Sequence, residues 1–178
     1  GDNVNIQAGA LIGTNAFYYK RTEDKAHKKW HTGGRVVIES NVEIGAGCTL
    51  NAGVSGDTYI GAGTKFDSQI HIGHDAVVGR DCLFAAQVGI GGNTIIGDRV
   101  VLYGQVGVAQ NLVVGDDVVV LAKSGVSRNL KPEKTYFGAP AEEVSIKYKQ
   151  LASLRQLPGL VKHINNSNGP AVENPDQA

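Results

Sequence analysis

The densest group of ionisable side chains is Asp67-Ser68-Gln69-Ile70-His71-Ile72-Gly73-His74-Asp75. An imidazole titrates near neutrality, so a histidine here suits general-base chemistry. Two neighbouring histidines also raise the question of a metal. His71 and His74 flank the apolar Ile72 and need not point the same way, and His27, His31 and His163 fall out of phase with the surrounding pattern. The spacing favours proton transfer over metal binding within one chain, and no metal or cofactor is expected. Cys48 and Cys82 make neither a disulfide framework nor a four-ligand zinc site. They read as small buried residues, and reduced thiols fit a cytoplasmic protein.

The element that must position these residues shows as a period of six. From Ile60 onward every sixth residue is large and apolar: Ile60, Phe66, Ile72, Val78, Phe84, Ile90, Ile96, Leu102, Val108, Val114, Val120 and Val126. The same phase runs earlier through Ile6 and Ile12 and through Ile38, Ile44 and Leu50. A strand repeats every two residues and a helix every 3.6, so a period of six is neither alone. It fits a short strand plus a tight turn, with one residue inward per face. Glycine often follows the apolar residue, as at Gly61, Gly73, Gly79, Gly91, Gly97 and Gly115, and is expected there for turn conformations that a side chain would penalise. Three faces close a coil of about 18 residues, stacked at the inter-strand spacing of about 4.8 Å. The expectation is an all-β solenoid, a parallel β-helix whose coils bury their core against one another.

Interruptions are informative too. Residues 17–34, FYYKRTEDKAHKKWHTGG, read as a polar loop thrown out of the solenoid, with Phe17, Tyr18, Tyr19 and Trp30 as aromatic anchors. Extra residues also fall around Asn51–Asp57. The phase ends after Val126. The expected organisation is a β-helix over 1–129 with the 17–34 insertion, a connector and helical segment over 130–164 with a kink or break at Pro158, and a disordered tail over 165–178. Gly1 falls inside a repeat, so a preceding coil or domain is expected.

Composition limits the function. Of 178 residues, 42% are hydrophobic and 19% charged, and 17 Lys+Arg balance 17 Asp+Glu, which is globular and not the basic profile of a duplex nucleic-acid binder. No apolar run reaches the roughly 18 residues of a membrane span. A β-helix has no deep cleft of its own, so a site between subunits of a trimer is the usual arrangement.

Four strings in order carry a specific resemblance: QIHIGHD at 69–75, AAQVGIGG at 85–92, GQVGV at 104–108 and AKSGV at 122–126. With IGTNAF at 12–17 and GRVVI at 34–38, they resemble the UDP-3-O-(3-hydroxyacyl)glucosamine N-acyltransferases of lipid A synthesis, a family of hexapeptide-repeat acyltransferases. The resemblance runs from Gly1 to about Pro140. It implies a left-handed helix and a homotrimer. It implies transfer of a 3-hydroxyacyl chain from the phosphopantetheine thioester of acyl carrier protein to the 2-amino group of UDP-3-O-acylglucosamine. It makes His74 the general base and gives Gly92 an oxyanion-binding N–H. Asp67, His71 and Asn111 fall at substrate-binding positions, Asp67 matching a carboxylate near the histidine that orients it or binds a sugar hydroxyl. The family's N-terminal uridine-binding domain has no counterpart here. Two positions depart from the pattern: glutamine is common where His71 stands, and a family histidine aligns with Asn111, which does not ionise near neutrality. Gly125 and Ser127, where some members place larger apolar residues, suggest a groove for a long acyl chain. An acetyl-CoA-dependent nucleotide-sugar N-acetyltransferase on the same fold is the alternative.

Overall fold

The structure, a computed structural model, describes residues 1–167, so most of the tail expected at 165–178 lies outside the described residues. Residues Gly1–Glu143 form one compact unit and the chain from Val144 another. In the first, two- to four-residue strands stack into three sheets of eight, six and five strands, parallel except for the last pair of the eight-stranded sheet, and interrupted by an antiparallel hairpin. The six-stranded face pairs His71 with Gly89, Gly89 with Gly107 and Gly107 with Gly125, and one position on it pairs Ile72, Ile90, Val108 and Val126. Each coil therefore advances 18 residues in register.

The inward set is the one the period picks out. Ile72, Val78, Phe84, Ile90, Ile96, Leu102 and Val120 are buried, and the residues two before several of them, Ile70, Val88, Val100 and Val118, share the core. Burial of this ladder is the main stabilising term, at about 25 cal/mol per Å² of apolar surface.

The glycines act differently from expectation. The positive φ of each corner falls three residues after the inward residue, at Gln69, Asp75, Asp81, Gln87, Asn93, Arg99, Gln105 and Asn111. Gly73 and Gly91 do not have positive φ. A Cβ on Gly73 would lie 2.6 Å from Gly92 N, and one on Gly91 would lie 2.5 Å from Gln110 N. Glycine is needed here because the next coil's backbone occupies the space, not for conformational freedom.

Residues 17–34 leave the solenoid as a hairpin, with Tyr19, Lys20 and Arg21 opposite Lys29, Lys28 and His27. The parallel ladder also runs past residue 129: Val119 and Val120 pair with Thr135 and Tyr136, and Thr135–Phe137 then pairs antiparallel with Glu142–Glu143. The phase is lost there because the last turn is irregular. The helix starts at Val144, ends at Ser167 and does not end at Pro158. Among the described residues no helix is long and apolar enough to cross a membrane.

Ile90 lies in mid-ladder at 1% exposure. Truncation to alanine leaves a cavity between two coils, so Ile90→Ala should lose about 2–5 kcal/mol in urea unfolding. A loss below about 1 kcal/mol would contradict this core assignment.

Candidate active site

His74 follows the His71–Ile72 strand, at the corner between the six- and five-stranded faces. It is buried, at 7% exposure. Its Nδ1 lies 2.8 Å from Oδ2 of Asp75. A carboxylate only accepts, so Nδ1 carries the proton and the lone pair of Nε2 is left free. The Asn51–Gly56 excursion explains why Asp75 is charged there. The N–H groups of Val54, Ser55 and Gly56 donate to its carboxylate at 2.8, 3.3 and 2.9 Å. Partial burial raises the pKa of Asp75, but these amides and the His74 ring outweigh it and hold the carboxyl below its usual range.

Gly92 sits one coil on from His74. A Cβ at position 92 would fall 2.6 Å from His74 Nε2 and 2.8 Å from Cε1, so only glycine leaves the ring where it is. The carbonyls of His74 and Gly92 accept from Asn93 N and Asn111 N at 2.9 and 3.0 Å, and among the described residues no backbone bond is donated by the Gly92 N–H. Both residues line a groove of about 890 Å³ that continues past Gly107 to Gly125 and Ser127. On its floor, a Cβ added at Gly89 or Gly107 would meet nothing within 4 Å, so the groove is open along two coils.

His71 lines the same groove, and desolvation there lowers its pKa from the ordinary histidine value. Asp67 lies elsewhere. It precedes the His71–Ile72 strand, at the opposite corner of the face from His74, and its Oδ1 accepts from the N–H of Ser68 at 2.7 Å. Within the chain the carboxylate that orients His74 is Asp75, not Asp67. Asn111 is an exposed corner residue with φ 60°. The residue in line with His74 and Gly92 is Gln110, which lines the groove where Asn111 does not. Spacing by one coil from Gly92 points to Gln110. The sequence marks Tyr18 only as an aromatic anchor of the insertion; its ring packs on that of His74 with centroids 5.5 Å apart and planes at 75°.

Comparison with known proteins bears on this site. The description "Bacterial transferase hexapeptide (six repeats)" matches residues 57–92, which end at Gly92. UDP-3-O-acylglucosamine N-acyltransferases from Nitrobacter hamburgensis and Wolinella succinogenes are each 44% identical over 75 residues, 42% of this chain and 21% and 24% of theirs. The chain thus spans under a quarter of the length of these curated relatives. Among solved structures, UDP-N-acetylglucosamine O-acyltransferase from Moraxella catarrhalis superposes with TM-score 0.71 at 29% identity, covering 79% of this chain and 52% of that one. The Francisella novicida UDP-N-acetylglucosamine acyltransferase gives 0.69 at 26%, covering 78% and 49%. Residues 57–92 carry the hexapeptide-repeat match, and the chain folds as a left-handed parallel β-helix, as these neighbours do. Its named relatives are acyltransferases.

The folded pKa of Asp75 is depressed, so the unfolded chain binds more protons between that value and the ordinary one of about 3.9. The stability that Asp75 contributes is complete above that range and is lost as pH falls through the folded pKa. The urea midpoint of the wild type should therefore drop more steeply below about pH 4 than that of Asp75→Asn. Equal acid slopes would contradict the amide cradle.

Proposed function

We propose that this domain transfers a 3-hydroxyacyl chain from acyl carrier protein to the 2-amino group of UDP-3-O-acylglucosamine, in the cytoplasmic part of lipid A synthesis. The observation that carries the reading is the apposition of His74 Nε2 and Gly92 at the head of a long, open groove. The acyl chain lies along the glycine-lined floor with its thioester carbonyl beside Gly92. His74 Nε2 takes a proton as the sugar amine attacks that carbonyl, and the new C–N bond forms. The Gly92 N–H donates to the oxyanion, an interaction of about 2.7–4 kcal/mol in the barrier. Collapse breaks the C–S bond, and the departing sulfur receives the proton held on His74. Asp75 keeps the imidazole in the tautomer this cycle needs. Asp67, His71 and Asn111 are left to substrate contacts.

The N-acyl reading rests on the curated relatives, which are named as N-acyltransferases and are 44% identical over 75 residues of this chain. A homotrimer is part of the proposal. Directly beyond the His74 corner, the five-stranded face exposes Val77 at 37%, Ile95 at 49% and Val113 at 45%. This apolar column is what a neighbouring copy would cover, and covering it would wall the groove.

The test is acyl transfer by the whole protein with 3-hydroxyacyl carrier protein and with acetyl-CoA, for wild type and His74→Ala. The proposal expects long 3-hydroxyacyl donors to be used, acetyl-CoA to be used poorly, and the substitution to cost about 10²–10⁴-fold in kcat. Preference for acetyl-CoA would favour the N-acetyltransferase reading, and an unimpaired His74→Ala enzyme would remove the base.

A further inference from the structure

The inserted hairpin is tied to the histidine through a residue that the mechanism above does not use. Tyr18 stands where the chain leaves the solenoid, and it is fixed from both sides. Two residues before it, Ala16 is fully buried, with its N–H donating to Thr32 Oγ1 at 3.0 Å. The Tyr18 carbonyl accepts from Trp30 N at 2.9 Å, the first bond beyond the hairpin ladder. Lys20 Nζ lies 3.7 Å from the centre of the Trp30 ring, and the Phe17 and Tyr19 rings meet edge-on at 5.1 Å. The base of the hairpin is therefore a braced aromatic platform.

Tyr18 and His74 line two clefts in common. One, of about 610 Å³, lies towards Phe17, Tyr19, His27 and Gln110. The other, of about 250 Å³, lies towards Lys20, Trp30, Ser55, Asp75 and Asn93. The His74 ring thus has three contacts of different kinds: Asp75 at Nδ1, Gly92 under Nε2 and Tyr18 against the ring. The terminal torsion of a histidine has a broad energy minimum, and one hydrogen bond at Nδ1 does not fix the ring plane. An edge-to-face ring contact does.

We infer that Tyr18 is a positioning residue: it holds the His74 imidazole so that Nε2 stays over Gly92, and it makes the hairpin part of the site. The inference deepens the acyl-transfer reading and rests on it for its kinetic consequence. The ionisable groups that share the surroundings of His74 are Asp75 from its own turn, His71 from the preceding strand, and Tyr18, Lys20 and His27 from the hairpin.

The test compares Tyr18→Ala and Tyr18→Phe by steady-state acyl transfer and by the NMR chemical shifts of the His74 ring protons at fixed pH. Tyr18→Ala should lower kcat about tenfold or more, within the roughly hundredfold that a small misplacement costs, and leave KM for both substrates within about twofold. It should also move the His74 ring-proton shifts, which sense an aromatic ring centred 5.5 Å away, and Tyr18→Phe, which keeps the ring, should restore both. A Tyr18→Ala protein with wild-type kcat and wild-type His74 ring-proton shifts overturns the inference, as does failure of Tyr18→Phe to rescue. The chemical shifts need no turnover, so they separate the two claims. If His74→Ala were fully active, the catalytic reading would fall, while moved His74 ring-proton shifts in Tyr18→Ala would still establish the contact.

Discussion

In-register stacking of coils is the constraint on which everything else rests. Each strand is only a few residues long and is held by bonds to the coils before and after it, such as Gly73 N to Ile90 O at 2.8 Å. The backbones approach so closely at the corners that a Cβ at Gly73 or Gly91 would enter the next coil. A residue's neighbours one coil away are thereby set to within a fraction of an ångström. That fixed geometry brings an imidazole and a backbone amide together without any dedicated scaffold. Electrostatic catalysis requires groups placed in advance of the reaction, and a rigid ladder supplies this.

The departures from the ladder supply what the ladder cannot. A regular coil offers outward side chains but no enclosure and few free N–H groups. The Asn51–Gly56 excursion turns three amides towards the carboxylate of Asp75, a compact anion site made from backbone. The hairpin brings aromatic rings over the corner where His74 lies. Both insertions thus converge on the same histidine from different sides. The uninterrupted coils that follow, with glycine at 89, 107 and 125, form the open groove.

The period of six made the core and the coil length legible, because one residue in six must be apolar in a solenoid of this cross-section. It also made the pairing of His74 with Gly92 legible, since they are one coil apart. The role of Asp75 was not, because an aspartate at a corner with positive φ is also a common turn residue. The amides that mark it as functional belong to an excursion some twenty residues earlier. Tyr18 was hidden for the same reason: its contact with His74 spans the hairpin and six strands of solenoid, and no local pattern encodes it. Asp67 resembled a histidine partner in sequence, yet a whole strand places it at the other corner. The glycines were visible, but their purpose was not, since close approach of a neighbouring coil is a tertiary fact.

The most direct measurement of the central claim is the acyl-transfer rate of Gly92→Ala in the whole protein, taken with its thermal unfolding. The methyl group has no room between the coil and the imidazole, so the account expects a loss of about a hundredfold or more in kcat with cooperative unfolding retained. A Gly92→Ala enzyme within about threefold of wild type would show that the contact between His74 and the next coil does not carry the chemistry.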